Sequence, residues 1–267
     1  MVALAQYCKM PVCGVNFSLF CCRIHEFALI ECIFNEMAVN NPTPVAEGLE
    51  VVVIGSFNPG IFHPAWFLHQ NLIDQEEADS QETKVNVVGR EVTEIQICGI
   101  KLQSLSDRLA VSTANISQAA RIEDLMIQIF TLLSHIPVTA CGINAHAFYS
   151  VSSRQFWHKI GHTLVPKELI WNELVDSPGM QSVTIKAPRK GEFQGEIYLT
   201  VEPSMDPRFD PGLFVRSNYH YPLPKETLHS GSTELLMKFI KTEFGKASEM
   251  AKVTANKIFE KIRPDDD

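Results

Sequence analysis

Residues 119–137, AARIEDLMIQIFTLLSHIP, constrain the fold of this chain more than any other stretch. Apolar side chains recur at Ile122, Leu125, Met126, Ile129, Leu132, Leu133 and Ile136, the i, i+3, i+4, i+7 spacing of a helix that buries one side. Ser117 is placed to cap its start, Glu123 and Asp124 lie in early turns where the helix dipole favours negative charge, and Pro137 ends it. The segments before and after this helix run through the same order of elements. The helix therefore reads as the close of one repeat and the bridge to a second, and 267 residues suffice to give both a sizeable core.

The first repeat covers residues 50–136, behind a proline-containing lead-in over residues 37–49. VVVIGSF, Val51 to Phe57, is β-branched and nearly continuous, as a strand buried on both faces would be. Asn58-Pro59-Gly60 turns the chain, and Pro64 suits the first position of a helix that turns Trp66, Phe67 and Leu72 or Ile73 inward. The acidic residues 74–82, DQEEADSQE, read as a solvated loop. Lys84–Val88, Val92–Cys98, Ile100–Ser106 and Arg108–Thr113 then alternate with period two, the mark of antiparallel strands wet on one side.

The second repeat covers residues 137–263, with 264–267 as a tail. Thr139 to Val151 is its first strand. Ser152 or Ser153 caps the helix RQFWHKIGHTL, and Pro166 opens a second short helix, KELIWNELV. Strands follow at Ser182–Ala187, Gly195–Glu202 and Leu213–His220. A long helix runs from about Thr233 to Ile262 with Leu236, Phe239, Ile240, Met250, Ala251 and Ile258 on its buried side. The pair Phe156-Trp157 echoes Trp66-Phe67 at the corresponding place.

These patterns predict an α+β fold in which two tandem repeats of strand, helix, antiparallel strands and helix form one curved antiparallel sheet with helices on one face. That element order resembles the TATA-binding-protein-like fold and its helix-grip relatives over residues 50–262. The run GINAHAFYSVSSRQFWHKIGHTLVPKELIW, with VEPS at Val201 to Ser204, also resembles a group of uncharacterised bacterial proteins. The first resemblance implies a DNA-bending surface, which works through apolar wedges on a basic face. Here the open face is expected to carry Glu94, Gln96, Lys101, Gln103, Lys186, Tyr198, Glu202, Arg216, Asn218 and His220. Those are mixed charges with one aromatic, and no phenylalanine pair recurs in the two halves, so the DNA role is not expected to carry over.

Charge points the same way: the net charge is −8 and no basic run exists, which disfavours a phosphate-neutralising surface. Five of the seven cysteines (Cys8, Cys13, Cys21, Cys22 and Cys32) lie in residues 1–36 without the spacing of a zinc site, and Cys98 and Cys141 fall in apolar strand contexts. This suits a reducing, cytoplasmic setting. Residues 1–36 are apolar but broken by Lys9, Pro11, Arg23, His25 and Glu26, which fits neither a signal peptide nor a membrane helix. The reading preferred is an extension outside the core, with the protein proper starting at Met37; a membrane-seeking or regulatory extension is the alternative.

Candidate chemistry is sparse. His158 and His162 lie four apart on a helix, but HKIGH lacks the glutamate of the metalloprotease motif and no spacing anchors a third ligand. His146 alternates with Asn144 and Phe148 and reads as a polar residue on the solvent face. Cys141 has no base at a recognisable spacing, and Glu202 with Arg216 reads as a cross-strand ion pair. No catalytic residue, metal site or cofactor follows. Lys186, Tyr198, Arg216, Asn218 and His220 are the candidate binding residues, since tyrosine and arginine anchor interfaces well. The expected function is a non-enzymatic binding or adaptor protein that holds a protein partner, or a second copy of itself, on the sheet face or its rim loops. The alternatives are a small-molecule binder or enzyme with a pocket between the sheet and the C-terminal helix, and, behind it, weak nucleic-acid binding.

Overall fold

Alternating segments can satisfy their backbone only by pairing, and all of them join one sheet. A computed structural model describes residues 42–204, 206–227 and 231–262 of the chain. Strand β1 (Ala46–Gly55) leads to helices α1 (Pro64–His69) and α2 (Gln75–Asp79). Strands β2 (Lys84–Val88), β3 (Val92–Ile97), β4 (Ile100–Leu105) and β5 (Arg108–Thr113) follow, and then helix α3 (Ala119–Leu132). Strand β6 (Val138–Ser150), helices α4 (Arg154–Leu164) and α5 (Trp171–Leu174), strands β7 (Val183–Arg189), β8 (Gly195–Pro203) and β9 (Gly212–Pro222), and helix α6 (Ser232–Lys261) complete the fold. The described residues form an α+β fold, with nine strands in the order β2-β3-β4-β5-β1-β6-β9-β8-β7. Every neighbouring pair is antiparallel.

Strands β1 and β6 form the central pair. Val51 lies opposite Ile143 and Val53 opposite Cys141, all four fully buried; between them Glu50 lies opposite Asn144 and Val52 opposite Gly142 on the other face. The first set meets α3 and α6, which also pack on each other. Helix α6 contributes Leu236, Phe239, Ile240, Phe244, Ala247, Ala251 and Ala255 at helical spacing. The space between α6 and the sheet is filled: the Phe239 ring lies 5.6 Å from that of Phe193 and 4.8 Å from that of Tyr221. Arg189, at the end of β7, is 7 % exposed and rests its guanidinium 4.8 Å from the Phe239 ring while donating to the Phe193 carbonyl. A second cluster, around Tyr149, Phe156, Ile160 and Val215, fixes α4 against β6 and β9.

Several sequence expectations are corrected. Strand β1 begins at Ala46, inside the supposed lead-in, because β6 is long enough to pair with it there. Residues 74–82 are not all loop. Asp74 and Glu77 form a capping box that starts α2, and Glu77 takes an ion pair from Arg121 at 3.2 Å. Ser117 does not cap α3: Asn115 caps a short 3-10 turn that precedes the helix, and Ser117 hydrogen-bonds to it. On α3, Phe130 and Leu132 flank the apolar stripe on opposite sides. Phe130 packs against Phe57, with ring centres 6.3 Å apart, while Leu132 is exposed. The helix expected after Pro166 shortens to α5, and strand β3 stops at Ile97 because Cys98 and Gly99, at φ 45° and 83°, make the hairpin turn. The readings of residues 1–36 and 264–267 lie outside the described residues.

Truncating Phe239 should be severe, since it opens a cavity and strips the ring from Arg189. Phe239→Ala is expected to cost about 3–5 kcal/mol in urea unfolding, whereas Leu169→Ala, at an 82 % exposed position, should stay within about 0.5 kcal/mol of the parent.

Candidate binding face of the sheet

The face turned away from α3 and α6 is built by the alternate residues of each strand. Across its centre, Cα pairing lines up Lys101, Ser112, Glu50, Asn144, Asn218, Tyr198 and Lys186 on seven successive strands. The next row holds Gln103, Ala110, Val52, Gly142, His220 and Glu196. A groove of about 880 Å³ runs over β5, β1, β6, β9, β8 and β7 along these rows.

Its floor is a directional chain of hydrogen bonds. Arg108 donates to Glu50 Oε1 at 3.5 Å, Asn144 Nδ2 donates to Glu50 Oε2 at 3.2 Å, and Asn218 Nδ2 donates to Asn144 Oδ1. The carboxylate can only accept, so it fixes Asn144 with its NH₂ toward Glu50; Asn144 then offers its carbonyl, which fixes Asn218 in turn. The chain ends on Asn218 Oδ1, which is covered and has no partner among the described residues, as is Arg108 Nε at the other end. A Cβ at Gly142 would lie 3.7 Å from Asn218 Nδ2, an ordinary contact, so the amide row tolerates a small side chain there.

One end of the groove is aromatic. Phe148 and Phe214 sit opposite each other on β6 and β9 with ring centres 4.8 Å apart, Phe209 adds a ring 5.5 Å from Phe148, and His146 lies 5.7 Å from Phe214. The imidazole leans over β1, where a Cβ on Gly48 would fall 2.4 Å from His146 Cε1, so any larger residue at 48 would have to push the ring aside. Burial holds the His146 imidazole below the usual histidine range; Glu50 opposes that effect and Arg216 adds to it.

Of the sequence-chosen residues, Tyr198, Arg216, Asn218 and His220 line the groove. Lys186 lies on the same face at the outermost strand, paired with Glu196 at 2.5 Å and with its ammonium 5.5 Å from the Tyr198 ring. Tyr198 donates to the same Glu196, so Lys186 and then Tyr198 hold that carboxyl below its ordinary range. Lys101 pairs likewise with Glu94 at 2.9 Å. Arg216 differs: it is exposed and takes part in no ion pair among the described residues.

Glu202 is not its partner. The register sets Thr200 opposite Arg216 and Phe214 opposite Glu202, which instead accepts from Ser182 at 3.1 Å. The face also carries more aromatics than Tyr198 alone. Phe148 and Phe214 were identifiable in principle, since each falls in step with polar residues of its own strand. For Arg108 and Asn144 alternation gives the face alone, and Glu50 lies outside the alternating runs; the roles of all three depend on which strands are neighbours.

Residues away from the face carry less. Cys141 is fully buried on the helix side, and burial pushes its thiol far above the ordinary range, which makes it a poor nucleophile. His158 and His162 are exposed on α4 beside a cavity of about 220 Å³, and no group of three or more metal-ligating side chains converges among the described residues. Lys167, 3 % exposed, donates to the Gly161 and Val165 carbonyls and so closes the end of α4. No described helix is long and apolar enough to cross a membrane. No family model matches the chain, and no curated protein matches it.

Because the folded chain favours neutral His146, the unfolded chain takes up that proton first as the pH falls below about 6.5. Stability contributed by the neutral imidazole is present above that pH and is lost through the window beneath it. The melting temperature of His146→Gln is expected to drop less than the parent's between about pH 7 and pH 5; equal drops in scanning fluorimetry would remove this role.

Proposed function

We propose that this chain is a non-enzymatic binding protein that holds a partner protein in the groove on its open sheet face. The carrying observation is the groove itself. It is long, shallow and open, floored by a hydrogen-bonded row and flanked by an aromatic cluster, a mixture that suits a protein segment. On the open face Lys101 is matched to Glu94, Arg108 to Glu50 and Lys186 to Glu196, so Arg216 is the one groove-lining cation without an ion pair among the described residues, little positive charge for a phosphate backbone. The aromatic and aliphatic packing under α6 argues against a ligand pocket there.

The scaffold is best read as two tandem repeats of TATA-binding-protein-like topology. Supporting this, β1 through α3 and β6 through α6 follow the same order, and the last strand of each half pairs with its first. The two first strands meet antiparallel in the middle of the sheet. The first half carries one further strand, β2, at its outer edge. A face shared by two such halves offers a partner a surface wider than either half alone.

A photocrosslinking amino acid at Ser112 or Thr184, both in the groove, should yield a reproducible protein adduct in native lysate, while Lys241 on the exposed side of α6 should not. Groove positions that give no adduct would defeat the proposal. Adducts to nucleic acid, with salt-sensitive retention on heparin, would replace it with nucleic-acid binding.

A further inference from the structure

The groove is not uniform, and its aromatic end is specialised. Among the described residues, Arg216 is the exposed guanidinium that the face leaves unmatched, whereas Lys101, Arg108 and Lys186 are each tied to a glutamate. Register places it opposite His146 on one side and Thr200 on the other, with Phe214 two residues before it on the same face of β9. Glu202, diagonal to it on β8, is occupied by Ser182. Thr200 is buried and shares a hydrogen bond of 3.0 Å with Thr184, so β8 presents a closed hydroxyl pair there and not a competing acid. The rings of Phe214, Phe148 and Phe209 stack away from it in one contiguous patch.

We infer that this end of the groove is the anchor for an acidic residue followed by an aromatic one on the bound protein segment: the carboxylate pairs with Arg216 and the ring packs on Phe148 and Phe214. The inference rests on the groove reading above and names its recognition chemistry. A guanidinium binds a carboxylate through two parallel N–H donors, and a neighbouring ring excludes water from that pair, strengthening it. A phosphate fits less well. Burial disfavours the charged form of His146, so Arg216 is the fixed cation that faces the ligand, and Glu202 on the neighbouring strand opposes a second negative charge.

Three capped dipeptides, acetyl-Asp-Phe-amide, acetyl-Asn-Phe-amide and acetyl-Asp-Ala-amide, test this by amide NMR titration of the full chain. The first should give saturable shifts on β6, β8 and β9, and each of the others should bind about tenfold or more weakly, the size of one charge-assisted hydrogen bond or one buried ring. Arg216→Gln should erase the preference for Asp over Asn and keep that for Phe over Ala; Phe214→Ala should do the reverse. Lys101→Gln, on the same face but outside this end, should change neither. Failure of the Asp-Phe peptide to saturate, or equal binding of the Asp and Asn peptides, overturns the anchor. Crosslinked adducts from Ser112 or Thr184 alongside such a failure would leave the groove as a docking face with different chemistry, so the two ideas fall separately.

Discussion

The pairing of β1 with β6 is the contact on which the remaining architecture depends. Each strand alternates between a face that meets helices and a face that does not, and these two strands share a register that keeps Val51 with Ile143 and Glu50 with Asn144. A slip of one residue would drive Glu50 and Asn144 under α3 and α6 and lift the valines out of the core. The buried face prevents that slip. Leu49, Val51 and Val53 lose all their solvent exposure against both helices, so an offset alignment would forfeit several fully buried aliphatic side chains at about 1.5–3 kcal/mol each. The same register, seen from the opposite side, assembles the groove.

Cost and function meet in the polar row. Polar side chains over a two-sided sheet stabilise little, and orphaned atoms such as Asn218 Oδ1 and Arg108 Nε are a net expense. A face kept only for solubility would have favoured exposed lysine and glutamate. The Phe148–Phe214 pair likewise places apolar area on a surface that no described helix covers. Both features fit the docking of a protein segment proposed for this face.

Local signals in the sequence specify much of this fold. Ser153 followed by RQFWHKIGHTL gives α4 with its cap, and the alternation of Arg108 to Thr113 gives β5 with its limits, because capping and pleat are set by residues close in the chain. Alternation also assigns Tyr198, Arg216, Asn218 and His220 to the right face. What it does not carry is adjacency. Glu50 and Asn144 lie 94 residues apart, and Asn144 and Asn218 lie 74 apart, so their hydrogen bonds exist only once the strand order is known. The supposed Glu202–Arg216 pair misses for the same reason: two positions of register separate it from the pairing that forms. The acidic stretch that becomes α2 conceals a capping box within a composition typical of loops.

Glu50 deserves a last consideration as the terminus of the amide row. An amide is nearly symmetric in shape, so Asn144 and Asn218 could each sit either way round with little change in packing. A single ionised carboxylate removes that ambiguity for both, like the first tile in a domino line, and sends a defined polarity across three strands without moving the backbone. Glutamine at position 50 would occupy the same space yet lose that authority, leaving several arrangements of comparable energy where the native side chain selects one.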